Sequence, residues 1–306
     1  MRIVFYTANE NGDAWLAALS RALPEATIDR WPGAAADPDY ALVWKPPAEL
    51  LGALGRSRAV FNLGAGVDSI ECSALPPEVP LIRIEDAGMA EQMAEYVCHA
   101  VLRRYRELDQ YAEQQRSALW RPRRRLDKGS FGVGMLGLGV LGHAVAKALA
   151  PFGFPLSGWS RGRKSLAGVT VHAGAGELDA FLGGAQVLIC LLPLTRETRG
   201  LLDRRRLSRL PHGGYLVNVA RGPIVVDEDL VVLLDEGHLG GAMLDVFHDE
   251  PLPASHPFWH HPRITLTPHV SAVTLVDESI AQIAAKIRRL EAGLPISGVV
   301  ARDRGY

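Results

Sequence analysis

A glycine motif between a predicted strand and a predicted helix constrains the fold of this chain more than any other feature. The motif, Gly137-Leu138-Gly139-Val140-Leu141-Gly142, follows the apolar run Phe131–Leu136 and opens the helical pattern Leu141–Leu149. The first glycine permits a tight turn, the second lets backbone approach a phosphate, and the third lets the helix pack close to the strand. N–H groups at the helix start attract the anion. The motif predicts a dinucleotide site, with an ordinary glycine-rich turn as the alternative.

Short apolar runs alternate with amphipathic stretches along the rest of the chain. The predicted strands are Ile3–Tyr6, Ala41–Trp44, Ala59–Leu63, Leu81–Ile84, Phe131–Leu136, Leu156–Trp159, Val187–Leu192, Gly214–Asn218, Gly241–Val246 and Ile264–Thr267. Further predicted helices are Trp15–Leu23, Ala48–Leu54, one long helix from Met89 to about Gln115, and Val276–Leu290. This alternation predicts parallel sheets flanked by helices, and 306 residues favour two domains.

Composition excludes several classes of protein. The formal net charge of −1 gives no general attraction to nucleic acid or to anionic membranes. No apolar run reaches the ~20 residues of a membrane span. Cys72, Cys98 and Cys190 are odd in number and widely spaced, so we expect no disulfide framework and a reducing, cytoplasmic location. The basic stretch Trp120–Gly129 is interpreted as a linker because it lacks apolar periodicity, with nucleic-acid binding as the alternative.

The residues after the second strand of the dinucleotide unit indicate which dinucleotide binds. An acidic residue there usually accepts hydrogen bonds from the ribose 2′-hydroxyl of NAD. This chain has Ser160-Arg161-Gly162-Arg163-Lys164 instead, with no carboxylate. Ser160, Arg161 and Arg163 suit a 2′-phosphate and predict NADPH, with NADH as the weaker cofactor and a solvated basic turn as the alternative.

The same segment satisfies a hydrolase pattern. Gly158-Trp159-Ser160-Arg161-Gly162 matches G-x-S-x-G, and Asp245 and His269 follow in the order of a Ser-Asp-His triad. A nucleophile elbow requires a helix directly after the serine, whereas Arg-Gly-Arg-Lys is a poor helix start. The hydrolase interpretation also leaves the glycine motif without a role, so it is disfavoured.

Three segments at strand ends carry the residue types that reduction of a 2-keto acid needs. That reaction requires a cation for the carboxylate and carbonyl, a proton donor that titrates near neutrality, and a carboxylate that orients the donor. Arg221, Glu250 and His269 each follow one of three successive predicted strands. Open α/β sheets bind ligands at this edge. Taken separately, a surface salt bridge, a helix-start carboxylate and a loop histidine are the alternatives.

The order and spacing of these motifs resemble those of the D-2-hydroxyacid dehydrogenases, from about Leu63 to Val273. The matching segments are the glycine motif, Asn218-Val219-Ala220-Arg221-Gly222, Leu244-Asp245-Val246-Phe247, Glu250-Pro251-Leu252 and Thr267-Pro268-His269. By resemblance, Arg221 binds the substrate carboxylate and carbonyl, His269 donates the proton, and Glu250 pairs with His269.

Within the family the chain is most similar to the glyoxylate/hydroxypyruvate reductase A branch. The segments that carry this likeness are Asn62–Asp68, Gly88-Met89 with Gln92-Met93, Trp159-Ser160-Arg161 and Ala301–Tyr306. The resemblance implies that backbone N–H groups of Ala65, Gly66 and Val67 grip the substrate carboxylate, which small residues allow. Trp44 and Met89 would border the substrate pocket, with core positions as the alternative. Further cofactor contacts are assigned to Leu192, Pro193, Val219, Ala220 and Asp245.

The resemblance also implies an architecture and an activity. We expect two Rossmann-like α/β domains with a cleft between them, a discontinuous substrate domain (residues 1–97 plus 272–306) and a dinucleotide-binding domain (residues 98–271). The expected reaction is NADPH-dependent reduction of glyoxylate to glycolate and of hydroxypyruvate to D-glycerate. We expect a homodimer, with the long helix and the Trp120 segment in its contact region.

Three alternatives to this reaction remain. One is reduction of a bulkier 2-keto acid such as phenylpyruvate, and another is a dinucleotide-sensing protein without catalysis. A sensor has no need of a proton donor, which disfavours it. The third is a metal site, disfavoured because no H-E-x-x-H pair occurs among the nearby histidines, His256, His260, His261 and His269.

Overall fold

The chain forms two compact units, each built on its own parallel β-sheet, in a computed structural model that describes residues 1–8, 11–33, 37–302 and 304. Unit 1 comprises Met1–Met89 and Thr274–Tyr306, and unit 2 comprises Ala90–Val273. The predicted α/β class with two parallel sheets is confirmed. Part of the C-terminal motif lies outside the described residues, namely Asp303, Gly305 and Tyr306.

The strands and helices have the following bounds. The strands are β1 (Arg2–Thr7), β2 (Thr27–Arg30), β3 (Tyr40–Trp44), β4 (Ala59–Asn62), β5 (Leu81–Ile82), β6 (Val133–Leu136), β7 (Leu156–Ser160), β8 (Val169–Ala173), β9 (Val187–Cys190), β10 (Gly214–Asn218), β11 (Leu239–Leu244) and β12 (Ile264–Leu266). The helices are α1 (Gly12–Ala22), α2 (Ala48–Gly52), α3 (Met89–Tyr105), α4 (Leu108–Arg116), α5 (Val140–Leu149), α6 (Ala175–Gly183), α7 (Arg204–Leu207), α8 (Asp227–Asp235) and α9 (Val276–Glu291).

Unit 1 has the strand order β2-β1-β3-β4-β5. The central strand β3 reads Tyr-Ala-Leu-Val-Trp, a nearly continuous apolar run as expected for a strand covered on both faces. Helix α9 returns from the end of the chain and packs against α1. It buries Ile280, Ile283 and Ile287, which lie at helical spacing on one face, and each contributes roughly 1.5–3 kcal/mol to stability.

Unit 2 has the strand order β12-β11-β10-β9-β6-β7-β8. The chain builds the sheet outward from β6 in one direction, then crosses back to place β9 on the other side of β6. The strand order therefore reverses between β6 and β9. Doubly wound sheets bind dinucleotides at the carboxyl ends of the strands at such a reversal, and the glycine motif follows β6 directly.

The long helix predicted from Met89 to Gln115 is wrong in one respect, because it breaks into α3 and α4. Glu107 lies between them in a left-handed conformation, with φ at +53°. Arg123 from the following segment holds the Glu107 carboxylate at 2.7 Å, and Arg103 bridges the break to Asp109 at 2.5 Å. No glycine or proline marks this position, so the apolar pattern alone did not reveal the break.

Residues 117–130 contain no regular helix or strand, and they lie within unit 2. Trp120 in this segment is 98% exposed. Within the part of the chain that the structure describes, no helix is both long and apolar enough to cross a membrane.

Candidate functional site

The glycine motif joins β6 to α5 at the carboxyl edge of the unit 2 sheet. Gly137 has φ at +117°, a conformation that disfavours any side chain. A side chain at Gly142 would overlap the carbonyl oxygen of Gly137. Gly139 is the N-cap residue of α5, no side chain caps this helix, and the space beside Gly139 is open. Uncapped helix N–H groups beside open space are the features that a pyrophosphate requires.

Ser160 ends β7 and is buried, and its hydroxyl donates to the carbonyl oxygen of Gly162 at 2.8 Å. The residues that follow form a bend and then lead into β8, so no helix begins after the serine. A nucleophile elbow needs that helix, and the hydrolase interpretation therefore fails.

Two cations of this turn bind different parts of unit 2. Arg163 pairs with Glu177 of α6 and donates to a carbonyl of β8. The Lys164 ammonium donates to the carbonyl oxygen of Leu138, inside the glycine motif, at 2.6 Å. Arg161 is exposed. The turn therefore places positive charge beside the glycine motif, as an NADP 2′-phosphate requires.

The turn after β10 presents Arg221. The buried side chain of Asn218 shapes it, accepting from the N–H of Ala220 at 3.2 Å and donating to the carbonyl oxygen of Arg221 at 3.1 Å. A side chain on Gly222 would overlap the backbone carbonyl of Phe247, in the loop after β11. The two loops can approach this closely only because position 222 is glycine.

Glu250 and His269 form a hydrogen-bonded pair. His269 Nδ1 lies 2.7 Å from Glu250 Oε2, and the other carboxylate oxygen accepts the N–H of Phe247 at 3.0 Å. A charged carboxylate only accepts, so Nδ1 carries a proton in this pair. The other ring nitrogen of His269, Nε2, takes no part in this pair. The backbone of His269 is left-handed, with φ at +56°.

The environment of Glu250 favours its charged form. Partial burial raises its pKa, but the hydrogen bonds from His269 and from the Phe247 N–H, with the positive charges of His269 and Arg221, outweigh burial and leave the pKa below its usual range. Glu250 is therefore ionised at neutral pH and accepts the hydrogen bond from His269 Nδ1.

The other predicted cofactor residues lie at the same edge of the unit 2 sheet. Leu192, Val219 and Ala220 are buried and Pro193 is partly buried, just beyond the ends of β9 and β10. Asp245 is fully buried, and its carboxylate binds the loop that carries His269. This role was not apparent from the sequence.

Four of the predicted substrate residues of unit 1, Trp44 and residues 65–67, lie in or against the loop after β4. Asn62, fully buried, donates to the carbonyl oxygens of Gly64 and Gly66 at 2.9 and 2.7 Å. A side chain on Gly64 would overlap the ring of Trp44, so this ring lies against the loop. Among the described residues, the N–H groups of residues 65–67 donate to no acceptor of the chain. Such a loop can bind a carboxylate.

Met89 is buried at the start of α3, and its N–H donates to the carbonyl oxygen of Asp86 at 3.1 Å. Burial agrees with the core interpretation as well as with a pocket wall.

Two polar residues at the site were not assigned a role from the sequence: Asn62 and Asn218. Both asparagines end strands whose residues are all buried, and an amide at such a position is a signal that a loop needs internal hydrogen bonds.

Two of the nearby histidines each approach a carboxylate. His256 lies 3.6 Å from Asp227, and His261 lies 3.3 Å from Asp235. In residues 1–8, 11–33, 37–302 and 304, no group of three or more His, Cys, Asp or Glu side chains could hold a metal ion.

Comparison with known proteins finds relatives of the whole chain. Residues 98–271 match the model of the NAD-binding domain of D-isomer specific 2-hydroxyacid dehydrogenases. A glyoxylate/hydroxypyruvate reductase A from Serratia proteamaculans is 48% identical, with both chains covered completely.

Solved structures agree over the whole chain. A D-isomer specific 2-hydroxyacid dehydrogenase from Xanthobacter autotrophicus Py2, in complex with NADPH and MES, is 40% identical, with a TM-score of 0.93 and coverage of 100% of this chain and 99% of that one. An NADPH-dependent glyoxylate/hydroxypyruvate reductase from Sinorhizobium meliloti, in complex with NADP and sulfate, is 34% identical, with a TM-score of 0.91 and the same coverage.

Proposed function

Because the chain belongs to the D-isomer specific 2-hydroxyacid dehydrogenase family, we propose that it uses NADPH to reduce glyoxylate to glycolate and hydroxypyruvate to D-glycerate. The observation that carries this proposal is the 2.7 Å hydrogen bond between Glu250 and His269. It supplies an oriented proton donor at the edge of a dinucleotide-binding sheet. Relatives that match the full chain are reductases of these two substrates.

Each site residue of unit 2 has one task in this reaction. Arg221 offers paired N–H donors to the substrate carboxylate and carbonyl, and its positive charge polarises the carbonyl. His269 protonates the carbonyl oxygen from Nε2 as negative charge develops there, while Glu250 holds the imidazole through Nδ1. Bound NADPH supplies the hydride.

The residues present fit NADPH. The uncapped start of α5 and the open space at Gly139 suit its pyrophosphate. Ser160, Arg161, Arg163 and Lys164 supply a hydroxyl and three cations for the 2′-phosphate, with Arg163 also paired with Glu177. Residues 160–164 offer no carboxylate for a ribose 2′-hydroxyl. We therefore assign residues 98–271 to the cofactor domain and expect NADH to bind less tightly.

Unit 1 takes the substrate role in this proposal, and it lies within the predicted substrate domain of residues 1–97 plus 272–306. The N–H groups of Ala65, Gly66 and Val67 would bind the substrate carboxylate, while Trp44 and Met89 would limit the size of its side group. Support comes from the Asn62 hydrogen bonds, which occupy carbonyls of this loop and leave its N–H groups for a ligand.

The test is reductase activity with glyoxylate, hydroxypyruvate and phenylpyruvate, each with NADPH and with NADH. We expect oxidation of NADPH with the two small substrates, and His269→Ala should lower kcat by roughly 10²–10⁴-fold. His260→Ala is a matched control, since His260 is an exposed histidine outside the site. Turnover of phenylpyruvate alone would assign the enzyme to a bulkier substrate. NADPH binding without any turnover would favour the dinucleotide sensor.

We also propose that the protein is a homodimer and that α4 and the Trp120 segment form its contact. Helix α4 buries none of its residues, and Leu108, Tyr111, Leu119 and Trp120 are all exposed. Exposed apolar side chains on one helix and on the segment that follows it support an interface there. A cytoplasmic location is proposed because Cys72, Cys98 and Cys190 are free thiols.

A further inference from the structure

The carboxylate of Asp245 binds the loop that carries His269. Its Oδ1 accepts the hydroxyl of Thr267 at 2.6 Å and the N–H of Val270 at 2.8 Å, and its Oδ2 accepts the N–H of Ser271 at 2.8 Å. The backbone carbonyl of Asp245 accepts the N–H of His269 at 2.8 Å. One buried residue thus fixes the backbone on both sides of the proposed proton donor.

Tyr96 of α3 extends this arrangement by one step. Its hydroxyl lies 2.6 Å from the Thr267 hydroxyl oxygen. The Thr267 hydroxyl donates its single proton to Asp245 Oδ1, and the Tyr96 hydroxyl therefore donates to Thr267. Burial, together with the nearby Asp245 charge, raises the pKa of Tyr96 to about 12. The phenol stays protonated at neutral pH and remains a donor.

His269 needs such an anchor because its backbone is in the left-handed region, at φ +56°. A residue with a Cβ adopts this conformation only when its surroundings enforce it. The Glu250 hydrogen bond orients the imidazole ring but does not touch the backbone. The hydrogen bonds from Asp245 do, since they bind the N–H groups of His269 and of the two residues after it.

We propose that Tyr96 and Thr267 are positioning residues for the proton donor, acting through Asp245 on the backbone of His269. This inference rests on the proposed reductase function, in which His269 must reach the carbonyl oxygen of the substrate. Neither residue touches the reacting atoms in that proposal. Misplacement of a donor by about 1 Å costs on the order of 10²-fold in rate, so a hydrogen bond two residues away is kinetically visible.

Activity measurements on four variants test the inference. Thr267→Val keeps the shape but removes the hydroxyl, and we expect kcat to fall roughly tenfold to 10²-fold with the KM for NADPH unchanged. Thr267→Ser restores the hydroxyl and should return kcat to within about twofold of wild type. Tyr96→Phe should lower kcat several-fold. Tyr105→Phe removes a buried tyrosine hydroxyl from the same helix, away from the His269 loop, and should leave kcat unchanged.

Amide hydrogen exchange of the segment 267–271 gives a readout that does not depend on the substrate. Exchange of the Val270 and Ser271 amides should be faster in Thr267→Val and Tyr96→Phe than in wild type, Thr267→Ser and Tyr105→Phe. Unchanged exchange in Thr267→Val overturns the inference. So does faster exchange with wild-type kcat, or a rise in the KM for NADPH with kcat unchanged. If the wild type reduces no tested keto acid, the proposed function fails, and exchange alone still decides whether this network holds His269.

Discussion

Gly222 and Phe247 lie so close together that a single methyl group on Gly222 would overlap the Phe247 carbonyl. Gly222 follows Arg221, and the N–H of Phe247 donates to Glu250. This contact therefore sets the separation between the proposed carboxylate-binding cation and the partner of the proton donor.

Gly222→Ala should impair both stability and catalysis, because the loops after β10 and β11 must move apart. We expect a loss of roughly 1–3 kcal/mol in the free energy of unfolding, measured by urea denaturation, and a lower kcat in the reductase assay. Gly176→Ala in α6 is the matched control, since its Cβ would meet open space. Unaltered stability and kcat in Gly222→Ala would show that the loops yield without cost.

Two glycines of the dinucleotide motif should respond differently to alanine. Gly139→Ala places a methyl group in open space and should leave Tm almost unchanged, while it weakens NADPH binding by blocking the approach to backbone. Gly142→Ala overlaps the Gly137 carbonyl and should lower Tm. Thermal denaturation and NADPH titration separate the two effects. Equal losses of Tm in both variants would contradict this assignment.

Arg161→Ala should lower the preference for NADPH over NADH. The side chain is exposed at the end of β7, beside the glycine motif, and its guanidinium suits a 2′-phosphate. We expect the KM for NADPH to rise about tenfold or more, with little change for NADH, since charge-assisted hydrogen bonds contribute roughly 1.5–3 kcal/mol. Arg205→Ala is the control, because Arg205 is an exposed arginine paired with Asp179. Parallel losses with both cofactors would place the arginine outside the phosphate site.

Glu250→Gln should change the dependence of stability on pH. The pKa of Glu250 is lowered in the folded protein, so the wild type gains stability that is present above the ordinary glutamate pKa of about 4.3. This stabilisation is lost as the pH falls through the lowered pKa that Glu250 has in the folded protein. The difference in Tm between wild type and variant should therefore be largest near neutral pH and vanish in acid. A difference in Tm that grows in acid would mean that folding raises the pKa of Glu250.

Trp120→Ala should shift the protein from dimer to monomer at low concentration, if the Trp120 segment is the contact. Large aromatic side chains carry much of the binding energy at interfaces, typically 2 kcal/mol or more. Sedimentation equilibrium measures the effect, and the half-exposed Trp259 provides the control as Trp259→Ala. If the wild type is monomeric at all concentrations, the proposed dimer does not exist. If the dimer is unaffected by Trp120→Ala, the Trp120 segment is not its contact.

Buried strands and the glycine motif were predictable because each leaves a local pattern in the sequence. The elements that were missed are those whose formation depends on neighbours. Strands β2 and β8 lie at sheet edges, are only partly buried and so lack a clear apolar run. Helices α6, α7 and α8 were also not predicted, and α6 includes two glycines. The break at Glu107 depends on Arg123, which lies in another segment.

The residues of the site also fall into those that the sequence revealed and those that it did not. Arg221, Glu250 and His269 could be proposed because their residue types and strand-end positions suit a single reaction. The hydrogen-bond network behind them could not, since Tyr96 and Thr267 are 171 positions apart and either has many ordinary roles. Asp245 was assigned to the cofactor from the motif, yet its carboxylate is bound by the His269 loop, a contact that only the folded chain creates.

The division of unit 1 between the two ends of the chain has a consequence for its biosynthesis. A ribosome releases the β-strands of unit 1 first and α9 last, with all of unit 2 in between. Unit 2 can fold as soon as it emerges, whereas α1 must wait for Ile280, Ile283 and Ile287 to cover it. Nascent chains stalled before residue 274 would thus expose an apolar surface to chaperones and proteases, although their dinucleotide-binding sheet is complete.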